Sequence, residues 1–161
     1  MVGQSALSTH LAPSGGARMV DVSQKPASLR QAIAETRVAM TQAAFTRVEQ
    51  QSAPKGDVLG TARLAGIMAA KRTSELIPLC HPLALTKLSV ELELDATSHA
   101  IVVRATVEAF DRTGVEMEAL TAVSVAALTV YDMLKGIDRG MEIGPTRLLS
   151  KSGGRSGDFA R

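Results

Sequence analysis

Two glutamates enter a long apolar run and an aspartate and a lysine leave it. Glu116 and Glu118 stand in GVEMEAL, Asp132 and Lys135 in YDMLKG. Carboxylates and ammonium groups transfer protons and neutralise developing charge when their surroundings tune them. Asp132 and Lys135 are three positions apart, so on a helix they share a face. Glu118 and Asp132 differ by fourteen positions, which on a helix leaves them within roughly 40° of each other in azimuth. One face then carries acid, acid and base. The same residues also have a plain structural reading. An Asp–Lys pair near a helix end is commonly a solvated surface pair, and closely spaced glutamates commonly mark an exposed edge.

Positioning these groups requires a helix over Gly114 to Gly136. From Ala119 to Tyr131 it carries no charge and is rich in Ala, Val, Leu, Ser and Thr. Such a surface suits a helix lying on a sheet or on another subunit. His81 lies in IPLCHPL, where Pro78 and Pro82 bias the preceding residues away from helix. A histidine there can exchange protons near neutral pH. On extended backbone its neighbour Cys80 points to the opposite side, and with no second cysteine the pair argues against a zinc site. Lys55, in PKGD, is an ordinary surface lysine unless it meets Lys135. Two ammonium groups in one pocket depress each other's pKa. Lys151-Ser152-Gly153-Gly154 lacks the glycine spacing of a P-loop. It reads either as a weak phosphate-binding loop or as a basic tail.

The remaining chain must build the scaffold. Residues 1–18, ending near Pro13-Ser14-Gly15-Gly16, read as a mobile arm, and residues 19–161 as a single domain with a flexible Gly-rich tail. Ser23 is placed to cap a brief helix through Pro26, Leu29 and Ile33. Arg37 to Glu49 reads as a strand with imperfect alternation. Asp57 is an N-cap for a helix carrying Val58, Leu64, Ile67 and Met68 at helical spacing. Leu88, Val90, Leu92 and Leu94 alternate with polar residues, as do Ile101, Val103, Ala105 and Val107 beyond the turn at Asp95 to His99. The two runs predict an antiparallel hairpin. An edge strand around Ile143 to Ser150, interrupted at Gly144-Pro145, completes the order strand, helix, strand, strand, helix, strand. This is an α+β, ferredoxin-like βαββαβ arrangement, an antiparallel sheet with helices on one face.

Composition narrows the classes. The 161 residues carry a net charge of +2, too mild for a general nucleic-acid binder. Aromatic residues make up only 2%, so aliphatics and alanine must form the core, with self-association expected to complete it. One cysteine excludes an intramolecular disulfide and suits a reducing compartment. There is no signal-peptide pattern and no run approaching a membrane span, which leads to the expectation of a cytoplasmic protein with no membrane partner.

VDVSQKPASLR, PKGDVLGTARLAGIMAAKRTSELIPLCHPL, TGVEMEALTAVSVAALTVYDMLKG and IGPTRLLSKSGGRSGDF occur in that order. Together they resemble the cyclic pyranopterin monophosphate synthase (MoaC) family of molybdenum cofactor biosynthesis, from Met19 to Phe159. The resemblance implies a lyase that converts 3′,8-cyclo-7,8-dihydroguanosine 5′-triphosphate, the product of a radical S-adenosylmethionine enzyme, into cyclic pyranopterin monophosphate and pyrophosphate. It implies a homohexamer, a trimer of dimers, with active sites at dimer interfaces. It places catalytic roles on Lys55, His81, Glu116, Glu118, Asp132 and Lys135. Lys135, oriented by Asp132, would be the principal acid/base with Lys55 assisting, while His81, Glu116 and Glu118 position the rearranging base and shuttle protons. It assigns Asp21, Lys25, Arg30, Lys71 and Lys151 to the purine and triphosphate region, and wall or backbone contacts to Cys80 and Met117. No cofactor is required, although Mg2+ can accompany a triphosphate, and the chain offers no dedicated metal cage. Two other uses of the fold compete. A regulatory nucleotide-binding module would need the cations but not the whole acid–base set. An RNA-binding domain would need aromatic residues on exposed strands, and between Leu88 and Phe110 only Phe110 qualifies.

Overall fold

A computed structural model describes residues 15–155 and 157–161. The first fourteen residues of the expected arm lie outside the described residues. The elements are β1 (Ser28–Ala39), α1 (Gln42–Glu49), α2 (Val58–Ala70), α3 (Thr73–Leu76), β2 (Leu85–Asp95), β3 (Ala100–Asp111), α4 (Glu116–Leu134), β4 (Glu142–Ile143), β5 (Arg147–Ser152) and β6 (Phe159–Ala160). The sheet runs β2-β3-β1-β5-β6, its neighbours antiparallel, with β4 also paired to β1. Taking β1, α2, β2, β3, α4 and β5 as the framework gives βαββαβ with the first strand central, the ferredoxin-like arrangement. The predicted hairpin is present, with Leu94 opposite Ile101 and Val90 opposite Ala105.

Two expectations about the first third of the chain are overturned. Ser28 to Ile33 is not helical but opens β1, and the strand ends at Ala39 rather than running on to Glu49. Arg30, Ala32, Ala34, Thr36 and Val38 are its buried face. Alanine has low strand propensity, so the alternation was masked. It is required here because α4 lies directly over β1 and β3. Gln42–Glu49 is helix α1, burying Ala44, Phe45 and Val48, a helical spacing. The backbone N–H of its N-cap residue Thr41 donates to Asp138 Oδ2 at 2.7 Å. The β-compatible residues there serve packing, and tertiary context overrides propensity.

Asp57 caps α2 as expected, accepting from the Gly60 N–H at 2.9 Å. α2 packs against α4 through Gly66, where an added Cβ would lie 2.9 Å from the Ala122 carbonyl oxygen, 3.2 Å from Ala126 Cβ and 3.3 Å from Val90 Cγ1. Gly66→Val should therefore lower stability by about 2 kcal/mol despite removing a helical glycine, a result read from the urea midpoint. Unchanged stability would mean that the helices separate freely.

Lys151 and Ser152, read as the start of the tail, belong to β5, and the chain turns through Gly153 and Gly154 before β6. Among the described residues one helix, α4, is long and apolar enough to cross a membrane, contrary to the expectation that no run reaches that length. Half of that span is buried inside the fold, with Ala119, Ala122, Val123, Ala126, Ala127 and Val130 fully enclosed. Its apolar character is that of a core helix.

Candidate active site

The two ends of α4 hold two different constellations. At its N-terminal end, Cys80, His81, Glu116, Met117, Glu118 and Lys25 border a cavity of about 270 Å³. Cys80 and His81 thus face the same space, against the expectation that they diverge. The backbone from Ile77 is a turn, closed by the Cys80 N–H donating to the Ile77 carbonyl at 3.0 Å, and not an extended strand. Glu118 is only 4% exposed. Burial pushes its carboxyl up to about 7, the negative charge of Glu116 adding to the effect and its own backbone N–H opposing it. Burial, and then Glu118, push the Cys80 thiol up as well. A buried carboxyl poised near neutrality can both give and accept a proton at physiological pH.

Lys25, Thr113, Gly114 and Glu116 also border a second, larger cavity of about 600 Å³, so the two spaces adjoin. Around the larger one stand Lys25, Arg30, Arg112, Lys151 and Arg155, with Glu116 the one acid in its lining among the described residues. The Arg30 Nε–H donates to the Asp111 carbonyl at 3.2 Å. Gly154, at φ +83°, lies so close that a Cβ there would overlap the Arg30 guanidinium, which only glycine permits. At Gly114 a Cβ would meet only the Glu116 carboxylate, the mobile end of a flexible side chain. Arg112 and Arg155 escaped sequence reasoning. Arg112 sits in a segment read only as a turn, and β1 and β5 bring Arg155 to it through strand pairing that local sequence does not reveal. Met117 borders the smaller cavity and Lys151 the larger one. Asp21 lies outside both linings, its carboxyl held below the usual value by the Ser23 N–H at 2.8 Å, with further help from Arg18 and His81. Lys71 is the C-cap of α2 and borders neither cavity.

At the other end of α4, Asp132 bridges both lysines. The Lys135 Nζ lies 2.7 Å from Asp132 Oδ1, and the Lys55 Nζ lies 2.8 Å from Oδ2 and 2.9 Å from the Asp132 carbonyl oxygen. Hydrogen bonds from Lys135 and then Lys55 bring the Asp132 carboxyl down to about 2. The expected mutual depression of the two lysines is overturned for Lys135, whose pKa is raised because Asp132 accepts its hydrogen bond. With the aspartate between them, Lys135 is a protonated donor. The shared azimuth of Glu118 and Asp132 does not unite them within one chain, because fourteen residues of helix separate them by about 21 Å along the axis.

The chain is thus a ferredoxin-like α+β protein with a buried carboxyl beside a cation-lined cavity. The sequence model of the MoaC family matches residues 19–154. Three similar proteins, each called "Cyclic pyranopterin monophosphate synthase", come from Roseiflexus sp. (strain RS-1), Parvibaculum lavamentivorans and Brucella ovis. They are 60%, 57% and 58% identical to this chain, the alignments covering 94% of it in each case and 96%, 94% and 92% of the relatives. The chain belongs to the MoaC family.

Proposed function

We propose that this protein is a cyclic pyranopterin monophosphate synthase of molybdenum cofactor biosynthesis. It takes 3′,8-cyclo-7,8-dihydroguanosine 5′-triphosphate from a radical S-adenosylmethionine enzyme in the cytoplasm and releases cyclic pyranopterin monophosphate and pyrophosphate, with no required cofactor. The observation that carries this reading is the buried Glu118, at about 7, beside a 600 Å³ cavity faced by five cations. The cations, Arg30 and Lys151 among them, hold the polyphosphate and stabilise charge on the leaving pyrophosphate. Glu118 and His81 exchange protons with the rearranging purine, Glu116 orients it, and Cys80 and Met117 wall it in. Lys135, aligned by Asp132 and assisted by Lys55, donates protons from the opposite side. Mg2+ carried by the triphosphate is compatible with this scheme.

That opposite side comes from a second copy. α4 carries exposed apolar residues, Met117 and Leu128, and its neighbour α2 carries Leu64 and Met68. Glu118 and Asp132 are placed symmetrically about Val125. Two α4 helices crossing antiparallel at that residue bring the acids of each copy to the lysines of the other, with opposite charges facing, and cover the apolar stripe. The resulting dimer is the unit from which the expected hexamer is built.

Anaerobic incubation of the protein with the cyclised dihydro-GTP, following pyrophosphate and cyclic pyranopterin together, tests the activity. Absence of both from the folded protein refutes it in favour of a binding module. Mixing Glu118→Gln with Lys135→Ala subunits tests the shared site. Random pairing should restore about one quarter of the unmutated activity, because each mixed dimer regains one intact site. No recovery after confirmed subunit exchange would place the two ends of α4 in separate sites.

A further inference from the structure

The proposed mechanism leaves one cation beside Lys135 unused. Lys55, Tyr131, Lys135, Gly136 and Arg139 border an open cavity of about 430 Å³. Asp132 already engages both lysines, and no ion pair involves Arg139 among the described residues. The turn that carries Arg139 is fastened on either side of it. The Tyr131 hydroxyl donates to the Arg139 carbonyl oxygen at 3.0 Å. Asp138, only 8% exposed, accepts from the Thr41 N–H at 2.7 Å and from the Gly140 N–H at 2.8 Å. The Ile137 and Asp138 N–H groups both close back on the Leu134 carbonyl, at 2.8 and 3.0 Å. A surface arginine serving only solubility needs no such fixed backbone. A guanidinium that must meet an anion gains from it, because less freedom is lost on binding.

We propose that Arg139 contacts the substrate, its guanidinium binding a phosphate oxygen beside Lys135, and that Tyr131 is the positioning residue that fixes it. This rests on the synthase reading and adds a phosphate contact on the lysine side of the site. The planar fork of arginine suits two phosphate oxygens together, which a lysine addresses only as a point charge.

Initial rates with the cyclised dihydro-GTP test the assignment. Arg139→Ala should raise KM about tenfold and leave kcat within about twofold, as expected for loss of a charged hydrogen bond made in ground and transition states alike. Arg139→Lys should recover part of that loss. Tyr131→Phe should shift KM in the same direction by about threefold, with an unchanged urea midpoint, because it frees the turn without removing the cation. A KM for Arg139→Ala within twofold of the unmutated value overturns the proposal, as does a fall in kcat with KM unchanged. Absence of turnover in the unmutated protein refutes the synthase reading instead, so the two failures are distinguishable.

Discussion

Lys135→Ala folds and assembles like the unmutated protein but loses about 10³-fold or more in kcat, the range expected when a positioned proton donor is removed. Lys135 is the C-cap residue of α4, its side chain is half-exposed, and its ion-pair partner is the equally exposed Asp132. Solvent-exposed ion pairs of this kind contribute little to folding, so thermal stability should barely move. The chemical effect is large because the lysine stands protonated, held above its ordinary value by Asp132. Removing it leaves Asp132 with Lys55 as its one remaining lysine partner. Asp132→Asn should act in the same direction, because the amide loses the negative charge and keeps only one oxygen to accept from the two lysines. Parallel measurement of turnover, circular dichroism and sedimentation decides the matter. An unfolded Lys135→Ala, or one retaining more than a tenth of the activity, defeats the catalytic role.

That lysine and its aspartate were legible in the sequence because spacing along one helix is local information. The same holds for the β2–β3 hairpin, where Leu88 to Leu94 and Ile101 to Val107 alternate cleanly, and for the Asp57 cap. β1 was not legible, because the strand that runs through the middle of the sheet buries alanines under α4 and so hides its own pattern. Neither was the partition of the site. Azimuth placed Glu118 and Asp132 on one face, while the rise along the helix kept them apart. Lys55 meeting Lys135 through Asp132 depends on α2 lying antiparallel to α4, and Arg112 meeting Arg155 depends on β1 lying between β3 and β5. These are pairings across the fold, for which local periodicity carries no signal. The motif resemblance pointed to residues at both ends of α4, and geometry then showed which of them a single chain brings together.

Glu118→Gln separates the two consequences of one buried carboxyl. The folded protein holds the Glu118 proton up to about pH 7, whereas the unfolded chain releases it near the ordinary value of 4.5. Between those values the native state binds more protons than the unfolded one, so stability falls as pH rises and the loss is complete above 7. At pH 5 the carboxyl is largely protonated in the folded state, and glutamine, of the same shape, should change stability little. At pH 8 the unmutated protein carries the cost of a buried carboxylate that the variant lacks. The variant should then be more stable by about 2 kcal/mol, allowing for water that reaches the carboxyl from the cavity. Catalysis moves the other way, with kcat falling about 10²-fold or more as the proton exchange is lost and the rate losing its dependence on the titration of this carboxyl. In the paired arrangement, the Lys135 ammonium of a second copy draws this pKa down, so the pH-dependent gain should grow as the protein is diluted towards separate subunits. Urea midpoints at pH 5 and pH 8, each at two protein concentrations, measure it. If both proteins lose stability in parallel from pH 5 to pH 8 at either concentration, the Glu118 carboxyl is ionised throughout and the proton exchange must be assigned to His81.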